Sequence, residues 1–320
     1  MISKIRPDER RRILTVVRWP LGGIRTYLLY NYPLLAEAGY RFTLVGPDDE
    51  TFHALSRDVQ SWEGIELVAA PVSGDKCRLL GTIRRLLADR RWGLIHSQGL
   101  TAGVYAILAN SPKRVPHVIT SHDVIRPSEF AGAAGRIRLK ALGWLLSRAD
   151  RLVAVSNDAR ENHLRWLPSL RSRSDTVVTI PNGIDAGRFR TIQPSARGTL
   201  RHRVGVGADA CVMGFLGRFM EQKGFLVLAR AMAKVLGEGT ARPIHLVALG
   251  SGDYVREYRA EVARRPELAA RITFLEHTSD TPAVLHGLDL LVMPSLWEAC
   301  PLLPMEAMCA GTPSRRSVVA

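Results

Sequence analysis

The sequence predicts an α/β protein made of two doubly wound domains. Short runs rich in β-branched residues alternate with longer amphipathic stretches, a pattern typical of strand–helix units around a parallel sheet. The pattern fades around residues 185–203, where Gly, Arg, Pro, Ser and Thr prevail, and then restarts. The 320 residues also suit two domains of moderate size. We therefore expect residues 1–190 to form a first domain and residues 191–320 a second, with a linker at the boundary.

The periodicity places strands and helices within each domain. The first domain is expected to contain strands near 13–17, 41–45, 65–69, 94–97, 117–120, 152–155 and 177–180. The second is expected to contain strands near 212–216, 245–249, 272–275 and 288–292. Ser156 predicts the N-cap of a helix, and Pro33 is expected to kink or split the first amphipathic stretch. Ligands should bind at the carboxyl ends of the strands, in a cleft between the two domains.

The charge balance favours an anionic partner. Lys and Arg number 44, Asp and Glu number 30, and the net charge is +14. Residues 1–190 carry 29 basic and 18 acidic side chains (+11), and residues 191–320 carry 15 and 12 (+3). No nucleic-acid partner is expected, because no zinc-finger or RRM signature is present. Two explanations stay open: an anionic membrane surface that displays a lipid-linked acceptor, or a solvated surface rich in arginine.

Residues 136–151 bear on that choice. Cations alternate there with Leu and Trp, as in helices that lie on anionic bilayers, but a core-packed helix with solvated cations fits equally well. Four cysteines at unrelated spacings form neither a disulfide framework nor a zinc site, which suits a reducing compartment. No apolar run approaches the ~20 residues that cross a bilayer, and no signal peptide is evident. We expect a cytoplasmic protein, with peripheral attachment to the inner face of the plasma membrane as the membrane-bound alternative.

Two turns in the second domain suggest an anion site. The first, at 217–224, runs from Gly217 through Arg218 and Lys223 at the junction of a strand and a helix. Unpaired amides, the helix dipole and two cations there would suit a pyrophosphate, although an ordinary turn with solvated cations is the plain alternative. The second turn carries Gly250 and Gly252, and alone it is a weak signal. Neither turn has the third glycine of GxGxxG, and no P-loop is present.

The segment 294–308 carries two carboxylates beyond a predicted strand. Glu298 lies in the predicted loop, and Glu306 lies near the start of a predicted helix behind two prolines. Carboxylates held in this way can accept hydrogen bonds from sugar hydroxyls, each worth roughly 1.5–3 kcal/mol. A carboxylate that stabilises its own helix dipole would explain Glu306 but would leave Glu298 unexplained.

In this order, the turns at 217–224 and 250–252, the two glutamates and the segment 310–313 closely resemble glycosyltransferase family 4. Segments at 22–23, 149–156 and 180–185 agree, so the likeness spans nearly the whole chain. Such enzymes have the GT-B fold, two Rossmann-like domains facing a cleft. The resemblance implies a retaining transferase that moves a hexose-type sugar from a nucleotide-diphosphate donor to a glycan or lipid-linked acceptor. Such a transferase would act in the synthesis of surface polysaccharide, lipopolysaccharide or glycolipid. Its first domain would bind the acceptor, and its second domain would bind the donor.

The resemblance also implies residue roles in the second domain. Arg218 and Lys223 would neutralise the departing diphosphate, Glu298 would sit against the transferred sugar, and Glu306 would hold the ribose hydroxyls. Gly217, with the glycines of the second turn, would approach the donor. Fixed cations can replace a divalent ion at such a leaving group, and the sequence has neither a DxD motif nor a cluster of metal ligands. No metal and no other cofactor is therefore expected.

In the first domain, Gly22 and Gly23 would form a loop facing the donor phosphate and the acceptor. His122 matches the family's cleft histidine and would contact the transferred sugar or the acceptor, while His96 is a weaker candidate. A histidine at a strand end can equally be a plain hydrogen-bonding loop residue.

The sequence departs from the family pattern at its end. Family members continue past 311–313 with an apolar strand, whereas this chain has Arg315 and Arg316. We expect a truncated second domain whose sheet lacks cover on one side. Two other functions therefore stay open: a nucleotide-sugar epimerase, which needs no acceptor, and an inactive remnant that binds nucleotide sugar.

Overall fold

The computed structural model describes residues 10–73, 76–90, 92–111, 115–191, 194–276 and 278–316. The chain divides into two compact units, Met1–Gly183 and Ile184–Ala320. Each unit holds one extended parallel sheet with helices between its strands, which confirms the predicted α/β class. The division lies slightly before residue 190, where the sequence placed it.

The first unit contains a seven-stranded parallel sheet and a small antiparallel hairpin. In chain order its strands are β1 (Arg12–Val17), β2 (Arg41–Pro47), β3 (Ile65–Ala70), β4 (Val72–Ser73), β5 (Lys76–Cys77), β6 (Leu94–Gln98), β7 (His117–Ser121), β8 (Arg151–Ala154) and β9 (Val177–Thr179). The large sheet has the order β3-β2-β1-β6-β7-β8-β9, and all seven strands predicted for this domain are confirmed. The order reverses between β1 and β6.

Helices cover both faces of this sheet. They are α1 (Gly22–Glu37), α2 (Glu50–Val59), α3 (Leu79–Asp89), α4 (Leu100–Ala109), α5 (Gly132–Leu146) and α6 (Asn157–Trp166). Successive strand residues point to opposite faces, so Leu14 packs with α3 and α4 while Ile13 packs with α1 and α2. This burial on both faces explains why the strands read as continuous apolar runs.

The second unit contains a five-stranded parallel sheet. Its strands are β10 (Cys211–Leu216), β11 (Ile244–Leu249), β12 (Ile272–Leu275), β13 (Leu290–Met293) and β14 (Ser314–Arg316), in the order β12-β11-β10-β13-β14. Its helices are α7 (Ala186–Arg190), α8 (Ala196–Arg203), α9 (Phe225–Glu238), α10 (Val255–Ala263), α11 (Pro266–Ala269), α12 (Thr281–Gly287) and α13 (Leu303–Cys309). The order reverses at β10, which lies between β11 and β13.

Local signals at two helices have different outcomes. The Ser156 hydroxyl accepts a hydrogen bond from the Ala159 amide, so the predicted N-cap of α6 is confirmed. Of the two effects expected of Pro33, a kink or a split, the split does not occur, because α1 runs unbroken from Gly22 to Glu37. Packing of Leu28 and Tyr32 into the core holds the helix together across the missing amide.

The linker predicted around 185–203 is also wrong. Two helices, α7 and α8, lie in this stretch and bury Phe189 and Leu200. Helix α8 packs against α12, where Leu200 fills the space beside Gly287. An arginine-rich composition is typical of an exposed linker, but Arg201 of α8 is itself buried, so the composition concealed these helices.

The segment that follows 311–313 carries charge where the family pattern has an apolar strand, and it still forms a strand. Ser314–Arg316 forms β14, which pairs in parallel with β13 and puts Arg316 opposite Met293. All three side chains of β14 are exposed. At this edge of the sheet, backbone pairing alone is sufficient to form a strand, because the charged side chains remain in solvent.

Candidate functional site

The carboxyl ends of β10 and β13 form the first cluster of candidate residues, in the second unit. These strands are neighbours where the strand order reverses, a position at which parallel sheets bind ligands. The turn after β10 carries Arg218 and Lys223, and the loop after β13 carries Glu298. The topology alone therefore brings two segments together that are about 75 residues apart in the chain.

Main-chain contacts join the turn to the loop. The Leu296 amide donates to the Gln222 carbonyl at 2.7 Å, and the Gln222 side chain donates to the Trp297 carbonyl at 3.0 Å. Gly224 has φ +66°, and a Cβ there would lie 2.0 Å from the Pro294 carbonyl oxygen. A glycine is thus required where the turn meets the loop.

An ion pair connects two of the predicted site residues. Lys223 Nζ lies 2.6 Å from Glu298 Oε1, and their side chains are 27% and 14% exposed. Arg218 is 39% exposed and lies 4.0 Å from Asp253, a weaker contact between more solvated groups. The contact with Glu298 holds the ammonium group of Lys223 beside the turn, so this cation is positioned before any ligand binds.

Several amides of the turn already have partners and are not the free donors that the sequence suggested. The amides of Gly217, Phe219, Met220, Lys223 and Gly224 all donate to carbonyl groups within the protein. The side-chain cations, rather than these amides, are what the turn presents to an anion. Phe219 has a structural role instead, because its ring is fully buried among other aromatic rings.

Glu306 is placed where the sequence predicted. It lies in the first turn of α13 and is 8% exposed. The preceding loop and this helix follow β13 directly, so Glu298 and Glu306 belong to the same end of the same sheet.

The glycines of the second turn serve the fold of the first turn. Gly250 has φ +150°, and a Cβ there would lie 1.9 Å from the Gly217 carbonyl oxygen. Gly252 has φ +149°, and a Cβ there would lie 2.6 Å from the Phe219 carbonyl oxygen. The Phe219 amide donates to the Ser251 carbonyl at 2.8 Å, so the two turns are paired backbone to backbone. This close approach explains Gly250 and Gly252.

Replacing Gly250 by Ala should therefore destabilise the protein, because the new methyl group meets backbone and the φ value is strained. We expect a loss of about 1–3 kcal/mol or more in the free energy of unfolding, measured by denaturant titration. Gly237→Ala is the matched control. That glycine lies in α9 with nothing within 4 Å of a Cβ, and alanine there should stabilise by up to about 1 kcal/mol. Equal effects of the two changes would contradict the explanation.

A second cluster lies in the first unit, around the carboxyl ends of β6 and β7. His122 Nε2 lies 2.7 Å from Gln98 Oε1, and the Gln98 amide nitrogen lies 3.2 Å from the Tyr32 hydroxyl. That hydroxyl lies 3.0 Å from His96 Nδ1, and His96 Nε2 lies 2.9 Å from Thr120 Oγ1. The structure thus joins His122 and His96, the two histidines that the sequence singled out, through Gln98.

Sequence reasoning missed Gln98, Tyr32 and Thr120. For Gln98 and Thr120 the available signal was position, since Gln98 ends β6 and Thr120 lies near the end of β7, where the site was expected. Tyr32 lies inside α1 and carried no such signal. Because Gln98 Oε1 can only accept, the proton of the neutral His122 ring lies on Nε2 and its Nδ1 is an acceptor. The Tyr27 ring meets His122 edge-on, with 4.9 Å between ring centroids, and holds the imidazole from one side.

Burial keeps this cluster neutral. It lowers the pKa of His96 to about 4, and burial together with the nearby His96 lowers the pKa of His122 to about 3. Burial also raises the pKa of Tyr27, and a hydrogen bond from Thr120 partly offsets this. His122 is therefore suited to hydrogen bonding and not to donating a proton as an acid near neutral pH.

Stability should fall as the pH falls below about 6.5. Burial lowers the pKa of His117 and of His163 to about 4 as well, so four rings stay neutral in the folded state. Unfolded histidines titrate near 6.5, so below that pH the unfolded state binds more protons. Each ring then removes up to about 1.4 kcal/mol per pH unit until its folded pKa is reached.

Denaturant midpoints between about pH 7 and pH 5 measure this effect. The variant His163→Gln is the control. It removes one of the four buried rings, so the free energy of unfolding should depend on pH with a slope that corresponds to about one proton fewer. A midpoint that does not change with pH would contradict the proposed neutral histidines.

Gly22 and Gly23 are the remaining site residues that the sequence predicted in the first unit. They begin α1 directly after β1, where the strand order of the first sheet reverses, and Gly22 has φ +51°. Nothing lies within 4 Å of a Cβ built at either glycine. The two glycines therefore lie in the first turn of a helix and not in the loop that the resemblance implied, and the space beside them is open to a ligand.

Within the ranges given above, no three His, Cys, Asp or Glu side chains come together as a metal ligand set. None of the described helices combines the length and the hydropathy that a membrane span requires.

Comparison with known proteins gives matches over both units. The family model "Glycosyl transferase 4-like domain" matches residues 22–183, and the model "Glycosyl transferases group 1" matches residues 210–314. The D-inositol 3-phosphate glycosyltransferase of Actinosynnema mirum is 29% identical over 319 residues, which cover 91% of this chain and 75% of that protein. The UDP-Gal:alpha-D-GlcNAc-diphosphoundecaprenol alpha-1,3-galactosyltransferase of Escherichia coli is 24% identical over 238 residues, 72% of this chain and 59% of that protein.

Solved structures agree on the fold. Anabaena HepE in complex with UDP-glucose superposes with a TM-score of 0.80 at 22% identity, covering 97% of this chain and 81% of that one. At this level of identity the likeness shows the fold alone, which is the GT-B fold of two Rossmann-like domains.

Proposed function

The chain belongs to the group 1, family 4-like glycosyltransferases, and from that membership we propose that it retains anomeric configuration and needs no metal. In this proposal the second unit binds a nucleotide-diphosphate hexose, and the first unit serves the acceptor. HepE, the structural relative, was solved with UDP-glucose, which supports a nucleotide-sugar donor. The names of the two curated relatives mention an inositol phosphate and a diphosphate-linked lipid, which support a glycan or lipid-linked acceptor in surface-polysaccharide or glycolipid synthesis.

The Lys223–Glu298 ion pair carries this proposal. A departing nucleoside diphosphate gains negative charge in the transition state, and preorganised cations stabilise that charge without reorganising. Lys223 is held for this role by Glu298, and Arg218 lies on the same turn. These fixed cations would do the work of a divalent ion, so we propose that the reaction proceeds without one.

Each remaining site residue has a proposed role. In this proposal Glu298 accepts hydrogen bonds from the transferred sugar once the donor engages Lys223, and the buried Glu306 holds the ribose. His122, neutral and with Nδ1 as an acceptor, is suited to a hydroxyl group of the sugar or the acceptor. Gly22 and Gly23 leave space for the phosphate or the acceptor.

A thermal-shift panel of UDP-, GDP- and ADP-sugars in the presence of EDTA tests donor binding. A ligand at 100 times its Kd stabilises by about 2.7 kcal/mol, so one nucleotide class should raise the melting temperature clearly. The matching donor, incubated with EDTA and a lipid-linked acceptor, should then yield a glycoside with the donor's anomeric configuration. Turnover of the donor without an acceptor would indicate an epimerase, and loss of activity with EDTA would contradict metal independence.

A further inference from the structure

Gln98 is a buried polar residue to which the proposed transfer reaction gives no role. It is 1% exposed and ends β6, the strand between β1 and β7. Its backbone is paired on both sides, with Val17 of β1 and Thr120 of β7. The chain then turns at Gly99, which has φ +91° and precedes α4. The backbone therefore holds the Gln98 side chain at one place, where each polar atom of the amide needs a partner.

The contacts of the Gln98 side chain determine which way its amide faces. An amide nitrogen carries two N–H groups and therefore needs two acceptors. On one side the Tyr32 hydroxyl lies 3.2 Å from this nitrogen and His96 Nδ1 lies 3.3 Å from it. On the other side the amide meets a single ring nitrogen, Nε2 of His122, which lies 2.7 Å from Oε1. The orientation with the oxygen toward His122 is thus the one that satisfies both N–H groups.

The His122 ring depends on this orientation for its tautomer. Among the described residues, the hydrogen bond to Gln98 is the only one that the His122 side chain makes. The proton of the neutral ring stays on Nε2 as long as an oxygen faces it, and Nδ1 keeps its lone pair. If Gln98 offered an N–H group or no polar atom, the proton could move to Nδ1, which would then donate. One amide therefore decides whether His122 accepts or donates a hydrogen bond at Nδ1.

We propose that Gln98 is a positioning residue for sugar transfer, which holds His122 in the tautomer whose Nδ1 accepts a hydrogen bond from a substrate hydroxyl group. That hydroxyl belongs to the transferred sugar or to the acceptor, and both present the same chemistry to the ring. Gln98 is buried and acts only through His122, so it does not itself contact the substrate. This inference rests on the proposed function and adds to it a residue behind the ligand-contacting groups.

Gln98→Met removes the acceptor and keeps a side chain of similar length. Both tautomers of His122 then become populated, so kcat/KM should fall about 10- to 100-fold, the usual effect of one mispaired hydrogen bond in a buried site. Binding measurements then locate the hydroxyl. If it lies on the transferred sugar, the nucleotide sugar should bind more weakly while the nucleoside diphosphate alone binds as before. If it lies on the acceptor, the KM for the acceptor should rise and donor binding should stay unchanged.

Gln98→Glu should make transfer depend on pH. At low and neutral pH the new carboxyl group and His122 hold a proton between them, either as carboxylate and imidazolium or as acid and neutral imidazole. Nδ1 carries a proton in both cases and cannot accept. At higher pH one proton leaves, the carboxylate accepts from Nε2, and Nδ1 becomes an acceptor again. We therefore expect kcat/KM to be at least about tenfold below wild type at low pH and to rise toward the wild-type value as the pH increases.

No other group around the ring should produce this ionisation. Tyr27 of α1 and His96 of β6 are the titratable side chains packed near His122, and the exposed Asp123 is the next residue in the chain. Burial raises the pKa of Tyr27 and lowers the pKa of His96 to about 4, so neither changes charge between about pH 6 and pH 9. Burial lowers the pKa of His122 itself to about 3 in the wild type.

Nitrogen NMR of the histidine rings reports the tautomer directly and needs no donor. The signals of His122 are assigned by their loss in His122→Gln. In the wild type they should show a protonated Nε2 and an unprotonated Nδ1, and in Gln98→Met a mixture of the two tautomers. A residue that served only the fold would not change this signature.

Gln60→Met and Gln60→Glu are the matched controls, because Gln60 is exposed at the end of α2 and both changes should leave the kinetics and the pH profile as in the wild type. Thermal unfolding verifies that each variant is folded. Wild-type kinetics in folded Gln98→Met would overturn the inference and leave the proposed function standing, and so would a wild-type His122 protonated on Nδ1. If the wild type itself transfers no sugar, the proposed function fails and the inference fails with it.

Discussion

Replacing Lys223 by Gln should lower the turnover number of sugar transfer by about 10²–10³-fold. This is the usual cost of losing one preorganised group that stabilises developing negative charge. The substitution keeps a polar side chain of similar length but removes the ammonium that Glu298 positions at 2.6 Å. Steady-state kinetics with the matching donor measures the effect, and the KM for the donor should rise as well. Arg218→Gln should act in the same direction.

Two controls separate catalysis from stability. Lys234 is 79% exposed and makes only a 3.9 Å contact with Glu238, so Lys234→Gln should leave the kinetics unchanged. If the ion pair served only the fold, Lys223→Gln combined with Glu298→Gln would recover the activity, because no charge would be left unpaired. Our proposal predicts instead that the double variant stays inactive. Full turnover by Lys223→Gln would refute the role of this cation.

Replacing Asp289 by Ala should destabilise the protein by about 3–5 kcal/mol, the usual cost of leaving a buried charge without its partner. The Asp289 carboxylate accepts hydrogen bonds from Arg201, from Arg197 and from the Val212 amide, the last at 2.8 Å. Arg201 is 7% exposed and also donates to the Gly287 carbonyl. Without Asp289, its guanidinium would stay buried with neutral acceptors only. Denaturant unfolding measures the loss.

The two arginines on this carboxylate provide the matched control. Arg197 is 59% exposed, whereas Arg201 is buried. Arg197→Gln should cost no more than about 1 kcal/mol, because an exposed ion pair contributes little. Arg201→Gln should cost several times as much, since it leaves Asp289 without its buried partner. Similar losses from both substitutions would show that burial does not determine the strength of this network.

The strands were predictable because both faces of each sheet are covered. Burial on both sides produces continuous apolar runs, which a sequence displays without any knowledge of partners. The cap at Ser156 was predictable for a similar reason, since the residues that make it are neighbours in the chain. The opposite case is α8, whose arginine-rich sequence resembles a linker until Asp289, far along the chain, is seen to pair with Arg201.

In the candidate site, too, the sequence predicted which residues matter but not which of them contact each other. Residue type and position after a strand were sufficient to single out Arg218, Lys223, Glu298 and Glu306. Nothing in the sequence predicted that Lys223 and Glu298 pair with each other, because that contact depends on β10 and β13 being neighbours. Likewise, Gln98 contacts His122 only because β6 and β7 are paired.

The sequence by itself determined the alternation of strands and helices, the family and the residue types at the strand ends, since each is encoded by neighbouring residues. The tertiary structure decided which of these residues meet, which turn amides are already used, and why Gly250 and Gly252 must be glycines. The physical reason is that such contacts join strands adjacent in the sheet but distant in the chain. Local periodicity carries no information about that adjacency.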